Sequence, residues 1–142
     1  MTLRTTEESH TIKAKGSRHQ VRLTRRIRQT FSLSEQDVQS QPMSNAGEDI
    51  ILSDKARAIL PYSIECKYRS NAKDFGRIYT FYEQATDQML DLALDTGIAP
   101  VVCIQHYNKQ GLVVLSEEDF FDREDLIQKQ QKELLEFKKG IN

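Results

Sequence analysis

Asp49, Glu65 and Lys67 are the side chains of this sequence best suited to chemistry. Glu65 and Lys67 lie two positions apart in a predicted strand, and because strand side chains alternate between faces, both project from the same face. Residues 54–60 are long enough to reverse the chain and bring Asp49 beside Glu65. Carboxylate oxygens bind Mg²⁺, and Lys67 can orient a water or stabilise charge on a phosphate. This set therefore suits hydrolysis of a phosphodiester.

Two short strands are predicted to position these residues. The first covers residues 46–53, with Gly47 allowing a close approach of the backbone, and the second covers residues 62–68. An alternative interpretation stays open, because an acid and a Lys two positions apart are common in strands. Glu65 and Lys67 would then be an ordinary ion pair on a half-exposed strand.

A longer pattern around these residues resembles the PD-(D/E)XK nucleases, in particular phage-encoded proteins of the Holliday-junction-resolvase type. Its specific blocks are Gly47-Glu48-Asp49 and Pro61-Tyr62-Ser63-Ile64-Glu65-Cys66-Lys67. The resemblance covers roughly residues 13 to 121. Its weaker flanking matches are Lys15-Gly16, Ser40-Gln41-Pro42-Met43, Phe81-Tyr82-Glu83-Gln84-Ala85, Pro100-Val101-Val102 and Val113-Val114-Leu115.

The resemblance implies an α/β restriction-endonuclease-like core, in which helices flank a mixed central sheet, and a metal-dependent DNA endonuclease. Asp49, Glu65 and Lys67 would be its catalytic residues. Asp49, Glu65 and the backbone carbonyl of Cys66 would hold Mg²⁺, for which Mn²⁺ would substitute. The implied substrate is branched DNA or a four-way junction, cut to leave 5′-phosphate and 3′-hydroxyl ends. Symmetrical cutting of a junction would need a homodimer.

Three further residues are auxiliary candidates. Gln20 stands where many relatives of this family have a metal-binding Glu, but it also fits the third position of a helix capped by Ser17. Glu48 neighbours Asp49 but would point to the opposite face of a regular strand. Gln84 matches a helix Gln that lies near the catalytic strands in the family, and it equally fits an ordinary amide at a helix edge.

Charge is distributed unevenly along the chain. Residues 1–30 contain eight Lys or Arg and two acids, whereas the remaining residues contain twelve Lys or Arg and nineteen acids. Many of the early cations fall in a predicted helix with Gln20, Leu23, Ile27 and Phe31 on one stripe. Such a basic helix suits an anionic partner, and the loop after Lys67 adds two cations. The predicted DNA contacts are Arg18, Arg22, Arg25, Arg26, Arg69 and Lys73.

The rest of the chain completes one domain. Residues 1–12 are polar and predicted to be a flexible arm, residues 13–121 form the expected nuclease domain, and residues 122–142 form a C-terminal helix for packing or dimerisation. A long helix is predicted over 77–95, followed by two strands and a turn within 100–115.

Composition also argues against several classes of protein. No apolar run approaches the ~20 residues that span a bilayer, and no signal peptide is visible, so a cytoplasmic location is expected, in the host cell if the chain is phage-encoded. Cys66 and Cys103 are predicted as small core residues rather than as a disulfide or zinc ligands. Two alternatives remain: a non-catalytic DNA-binding or assembly subunit with the same fold, and a nuclease that trims branched DNA during phage genome packaging.

Overall fold

The computed structural model describes residues 6–42, 45–69, 72–91 and 99–141. The chain is mixed α/β and divides into two compact units, Met1–Tyr68 and Arg69–Asn142. The first unit contains α1 (Thr6–Phe31), β1 (Val38–Ser40), β2 (Ile50–Leu52) and α2 (Asp54–Ile59). The second unit contains α3 (Ala72–Asp91), β3 (Val102–Ile104), β4 (Leu112–Val114) and α4 (Glu117–Ile141).

The core of the first unit fixes the position of β2. β1 and β2 pair antiparallel, with Val38 opposite Leu52 and Ser40 opposite Ile50. Burial of apolar surface is the main driving force for this arrangement. Among the side chains that the structure describes, the buried apolar residues of the unit are Ile27, Leu33, Val38, Ile50, Leu52, Ala56 and Leu60. Because β2 is anchored on the core through residues 50 and 52, the residue directly before it, Asp49, is held at the edge of that core.

Asp37 links the turn before β1 to the start of α2. Its Oδ2 accepts hydrogen bonds from the N–H and the hydroxyl of Ser34 at 3.1 and 2.9 Å, and its Oδ1 accepts one from the Ser53 hydroxyl at 2.8 Å. Ser53 in turn caps α2, because its Oγ accepts from the Ala56 N–H at 3.1 Å. These hydrogen bonds hold the pKa of Asp37 below its usual value of 3.8, and the bond from Ser53 has the largest effect on it.

The first helix is longer than predicted. α1 begins at Thr6, so the helix capped by Ser17 is wrong and Gln20 lies well inside α1. Of the arm predicted over 1–12, residues 6–12 are helical, and residues 1–5 lie outside the described part of the chain. The early part of α1 has no apolar stripe in its sequence, so periodicity could not reveal it.

The second strand that was predicted for the catalytic residues does not form. Residues 61–69 have no regular strand, although 62–68 was predicted as one. A β-ladder needs a run of paired backbone groups. Here the side chain of Asp49, rather than a backbone carbonyl, accepts the N–H of Cys66. The segment still runs beside Asp49, but as irregular backbone.

In the second unit, β3 and β4 pair antiparallel as the predicted hairpin, and Asn108 adopts a positive φ of 56° in its turn. α3 begins at Ala72, so Lys73 lies in a helix and not in the predicted loop, while residues 92–95 lie outside the described part. Both cysteines are free thiols, and Cys103 is exposed, so its predicted place in the core is wrong.

α4 begins at Glu117, because Ser116 caps it. The Ser116 hydroxyl accepts the Asp119 N–H at 3.0 Å and donates to the Asp119 carboxylate at 2.7 Å. Acids are favourable in the first turn of a helix, which suits the acidic cluster found there. Phe121 is buried, whereas every residue from 129 to 141 is exposed. None of the described helices has the length and apolarity that a membrane span requires.

Candidate active site

Asp49 is held from three sides at the start of β2. Its backbone N–H donates to the Ile64 carbonyl at 3.2 Å, and its own carbonyl accepts from the Gln41 N–H at 2.9 Å. Its carboxylate Oδ2 accepts from the Cys66 N–H at 2.6 Å. The carboxylate therefore faces the peptide bond between Glu65 and Cys66, so the chain reversal through α2 brings Asp49 beside that segment.

Glu65 and Lys67 are open to solvent. Their side chains are 62% and 56% exposed, and the Lys67 ammonium lies 2.5 Å from Oε1 of Glu65. An ion pair this exposed stabilises a fold by at most ~1 kcal/mol, so a ligand can open it at little cost. Cys66, between them, is half-buried.

Gln20 supports Asp49 through its side-chain amide. The side chain is buried, and its Nε2 donates to the carbonyls of Asp49 and Gln41 at 2.6 Å each and lies 2.9 Å from the Ser40 hydroxyl. A carboxylate could not replace this amide, because an ionised Glu has no proton to donate to a carbonyl. The position therefore requires a hydrogen-bond donor, which Gln supplies and an ionised Glu does not. Sequence reasoning singled out Gln20 but not this role.

Glu48 has a different partner from its neighbour Asp49. Arg57 Nη2 donates to both carboxylate oxygens of Glu48 at 2.9 and 3.1 Å, while Nη1 donates to the Tyr62 carbonyl at 3.0 Å. Glu48 therefore helps to fix α2 against the segment that leads to Glu65. Arg57 was missed by sequence reasoning, since no regular spacing relates it to Glu48 or Tyr62.

The chemistry of the donors suits a hard cation. Asp49 and Glu65 supply carboxylate oxygens and Cys66 supplies a carbonyl, and oxygen ligands are those that Mg²⁺ prefers. A carboxylate has about four lone-pair sites, so the bonds described above leave both acids able to bind a cation. Across the described residues, no group of three or more His, Cys, Asp or Glu is arranged to hold a metal ion. A site at Asp49 and Glu65 would thus have few protein ligands and several waters, as is usual for Mg²⁺.

α1 has a basic face opposite its buried face. At 100° per residue, five cations of α1 fall within an arc of about 100°, and the buried Gln20, Thr24 and Ile27 occupy the other side. No acid occurs between residues 9 and 34, so nothing in this stretch of sequence offsets the positive charge. The residues of the basic face are Lys15, Arg18, Arg22, Arg25 and Arg26.

Arg28 does not belong to the basic face. Its Nε and Nη2 donate to the Val38 carbonyl at 2.8 and 2.6 Å, so it ties the end of α1 to β1. In the sequence, Arg28 follows closely on the other cations of the helix. The structure instead gives it a structural role.

An open pocket of about 350 Å³ lies at one end of the basic face, lined by Lys15, Arg18, His19, Arg22 and Tyr68. Arg22 Nη2 lies 3.3 Å from His19 Nδ1, and the His19 and Tyr68 ring centroids are 6.0 Å apart. Because Tyr68 directly follows Lys67, the pocket and the candidate catalytic pair share one segment. His19 and Tyr68 were missed, although positions 15, 18, 19 and 22 follow helical spacing.

The other predicted contacts belong to the second unit. Arg69, Lys73 and Gln84 are all exposed there. Their roles in DNA binding and near the catalytic residues stay predictions.

No protein-family model, curated protein or solved structure matches this chain. Its function is therefore inferred from the residues described above and from the resemblance of the blocks around Asp49 and Glu65 to the PD-(D/E)XK pattern.

Proposed function

We propose that this chain is a metal-dependent DNA endonuclease with a restriction-endonuclease-like core. The observation that supports this most is the Asp49 carboxylate, which lies 2.6 Å from the Cys66 N–H and so faces the Glu65–Cys66 peptide. Glu65 and Lys67 on the same segment are both more than half exposed. Asp49 therefore lies beside the segment that carries Glu65 and Lys67, whose side chains are open to a phosphate.

Each residue has a distinct role in this proposal. Asp49, Glu65 and the Cys66 carbonyl would hold Mg²⁺ or Mn²⁺. Bound there, the ion would lower the pKa of a water and offset charge on the phosphate. Lys67, released from Glu65, would orient the attacking water or stabilise a phosphate oxygen. Gln20 keeps the backbone of Asp49 in position and touches no reacting atom.

The basic face of α1 supports DNA as the substrate. From Lys15 to Arg26 it extends ~17 Å, which matches the length of about five nucleotides along one strand. Cations that line a helix in this way contact phosphates and carry no sequence preference by themselves.

The pocket beside Tyr68 supports branched DNA over uniform duplex. It combines cations for a phosphate with rings on which an unstacked base can rest, and such bases occur at branch points and ends. We therefore place flapped DNA and four-way junctions ahead of linear duplex as substrates. A homodimer would supply the two active sites that a symmetrical junction needs.

A cleavage assay tests the proposal. A labelled four-way junction, a flap and a linear duplex are incubated with the purified chain and with Mg²⁺, Mn²⁺ or EDTA. We expect metal-dependent cleavage of the branched substrates. Asp49→Asn removes a charge but keeps an oxygen for the Cys66 N–H, so it should fold normally and slow cleavage at least about a hundredfold. The matched control is Asp87→Asn on an exposed part of α3, which should cleave at the normal rate.

Three outcomes would contradict the proposal. Cleavage in EDTA, or cleavage by Asp49→Asn at the normal rate, would separate the activity from these residues. Binding of junctions without cleavage in any metal would favour the non-catalytic subunit instead. Gln20 in place of the Glu of many relatives is the main observation in favour of that alternative, and the two carbonyls that accept from its amide give Gln a structural reason at this position.

A further inference from the structure

The last part of α4 has an apolar row that is exposed to solvent. Ile127, Leu134, Phe137 and Ile141 are 42%, 53%, 66% and 68% exposed. With Gln130 they are spaced alternately by three and four residues, which is the spacing of a and d positions in a heptad repeat. We call these five residues the α4 seam.

The α4 seam faces away from the buried side of the helix. Phe121 and Glu124 are buried and Gln128 is half-buried, and these three share one side of α4. At 100° per residue, the centre of the seam lies about 130° around the helix axis from that side. The contacts that bury Phe121 and Glu124 therefore leave the seam uncovered.

The charge distribution of α4 favours a second copy of this helix as the partner of the seam. Residues 117–125 contain six acids and one Arg, whereas residues 126–141 contain four Lys and two Glu. Two copies of α4 side by side in the same direction would bring their acidic ends together. When the two helices run in opposite directions, the acidic end of each copy lies beside Lys138 and Lys139 of the other. The two helix dipoles are then antiparallel, which is favourable.

We propose that two copies of this chain pair through antiparallel contact of their α4 seams. In an antiparallel pair, a positions face d positions, so Ile127 of one copy lies opposite Phe137 of the other, and Leu134 lies opposite Gln130. A seam of ~21 Å is short, so the dimer should depend on concentration. Gln130 weakens the pairing but favours one register, as single polar residues do in coiled coils.

Sedimentation of the full chain over a wide concentration range tests the pairing, without DNA or metal. We expect Leu134→Glu to raise the dimer dissociation constant at least about tenfold, because it places a charge in the seam. The matched control is Leu135→Glu on the next residue, which has similar exposure (58%) but lies outside the seam. It should dimerise normally, and circular dichroism of both variants checks that α4 stays helical.

A monomeric wild-type chain at every concentration would overturn the proposal, and so would equal weakening by both variants. The relative direction of the two α4 helices is tested by combining Lys138→Gln with Lys139→Gln. Antiparallel pairing loses an attraction and weakens, whereas parallel pairing loses a repulsion and strengthens, so a stronger dimer would overturn the stated direction. Because cleavage is not measured, failure here leaves the nuclease proposal untouched.

Discussion

Replacing Gln20 by Glu distinguishes a supporting residue from a missing metal ligand. The amide nitrogen of Gln20 donates to the carbonyls of Gln41 and Asp49 at 2.6 Å each, in a position that is only 3% exposed. An ionised carboxylate has the same size but offers no proton to these oxygens. Gln20→Glu should therefore destabilise the first unit and displace Asp49, so that DNA cleavage falls.

The expected loss of stability at neutral pH is about 3 to 4 kcal/mol, built from two lost donors at about 1–3 kcal/mol each and the burial of a charge. Loss of the bond to the Asp49 carbonyl should cost near the lower end of the range for one lost donor, because the Gln41 N–H still donates to this carbonyl at 2.9 Å. Loss of the bond to the Gln41 carbonyl should cost near the upper end. The Ser40 hydroxyl offsets part of the loss, because it can turn its proton toward the introduced carboxylate.

Urea unfolding measured over a range of pH is the assay. At a slope near 2 kcal/mol/M, the midpoint should fall by about 1.5 to 2 M at neutral pH. Burial and the two carbonyls should raise the pKa of the introduced carboxyl above its ordinary value of about 4.3. The part of the penalty that depends on the charge is then fully present above that raised pKa and is lost as the pH falls through it. Gln20→Met is the control, since it loses the same donors without adding a charge, and its smaller penalty should not follow this titration.

One result would refute this reasoning about Gln20. If Gln20→Glu were as stable as the wild type at neutral pH and cleaved DNA faster with Mg²⁺, the side chain would have to face the ligand site. Gln20 would then be a substituted metal ligand and not a support for Asp49.

The remaining predictions concern pH and salt. Because hydrogen bonds lower the pKa of Asp37, its ionised carboxylate should stabilise the fold above pH 3.8 and lose this effect as the pH falls below it. Urea unfolding should show Asp37→Asn less stable than the wild type at neutral pH, with a gap that closes in acid; a constant gap would contradict this. Arg25→Glu with Arg26→Glu should weaken binding to every DNA shape and reduce the salt slope by about one for each phosphate that the chain no longer neutralises, measured by fluorescence anisotropy. An unchanged salt slope in this double variant of Arg25 and Arg26 would exclude the basic face as the DNA surface. Arg28→Met should instead lower the midpoint of urea unfolding.

Local patterns were predicted best from sequence. The β3–β4 hairpin, the strand at Ile50 and the basic helix all depend on neighbouring residues, whose turn signals or periodicity are visible directly. The start of α3 was placed too late because Gly76 was taken as part of a loop. A single Gly costs a helix only about 1 kcal/mol and does not end it.

The supporting contacts of the candidate site could not be predicted. The acceptors of the Gln20 amide lie 20 to 29 residues away along the chain, and two of them are backbone carbonyls. A backbone acceptor leaves no signature in residue type, so only the folded chain reveals why a donor is needed at residue 20. The irregular backbone at Cys66 has a similar origin, because a side chain of distant sequence takes the place of a ladder partner.

The ion pair between Lys67 and Glu65 affects how this chain would respond to scarce divalent ions. The ammonium is tethered two residues from the carboxylate, so its effective concentration there is high at all times. A divalent ion bound at Glu65 would have to compete with this tethered cation, and its apparent affinity would reflect the exchange of one cation for another. When such an ion departed, the lysine could pair with Glu65 again. Substitution of Lys67 would therefore be expected to tighten the binding of divalent ions even where it abolishes turnover.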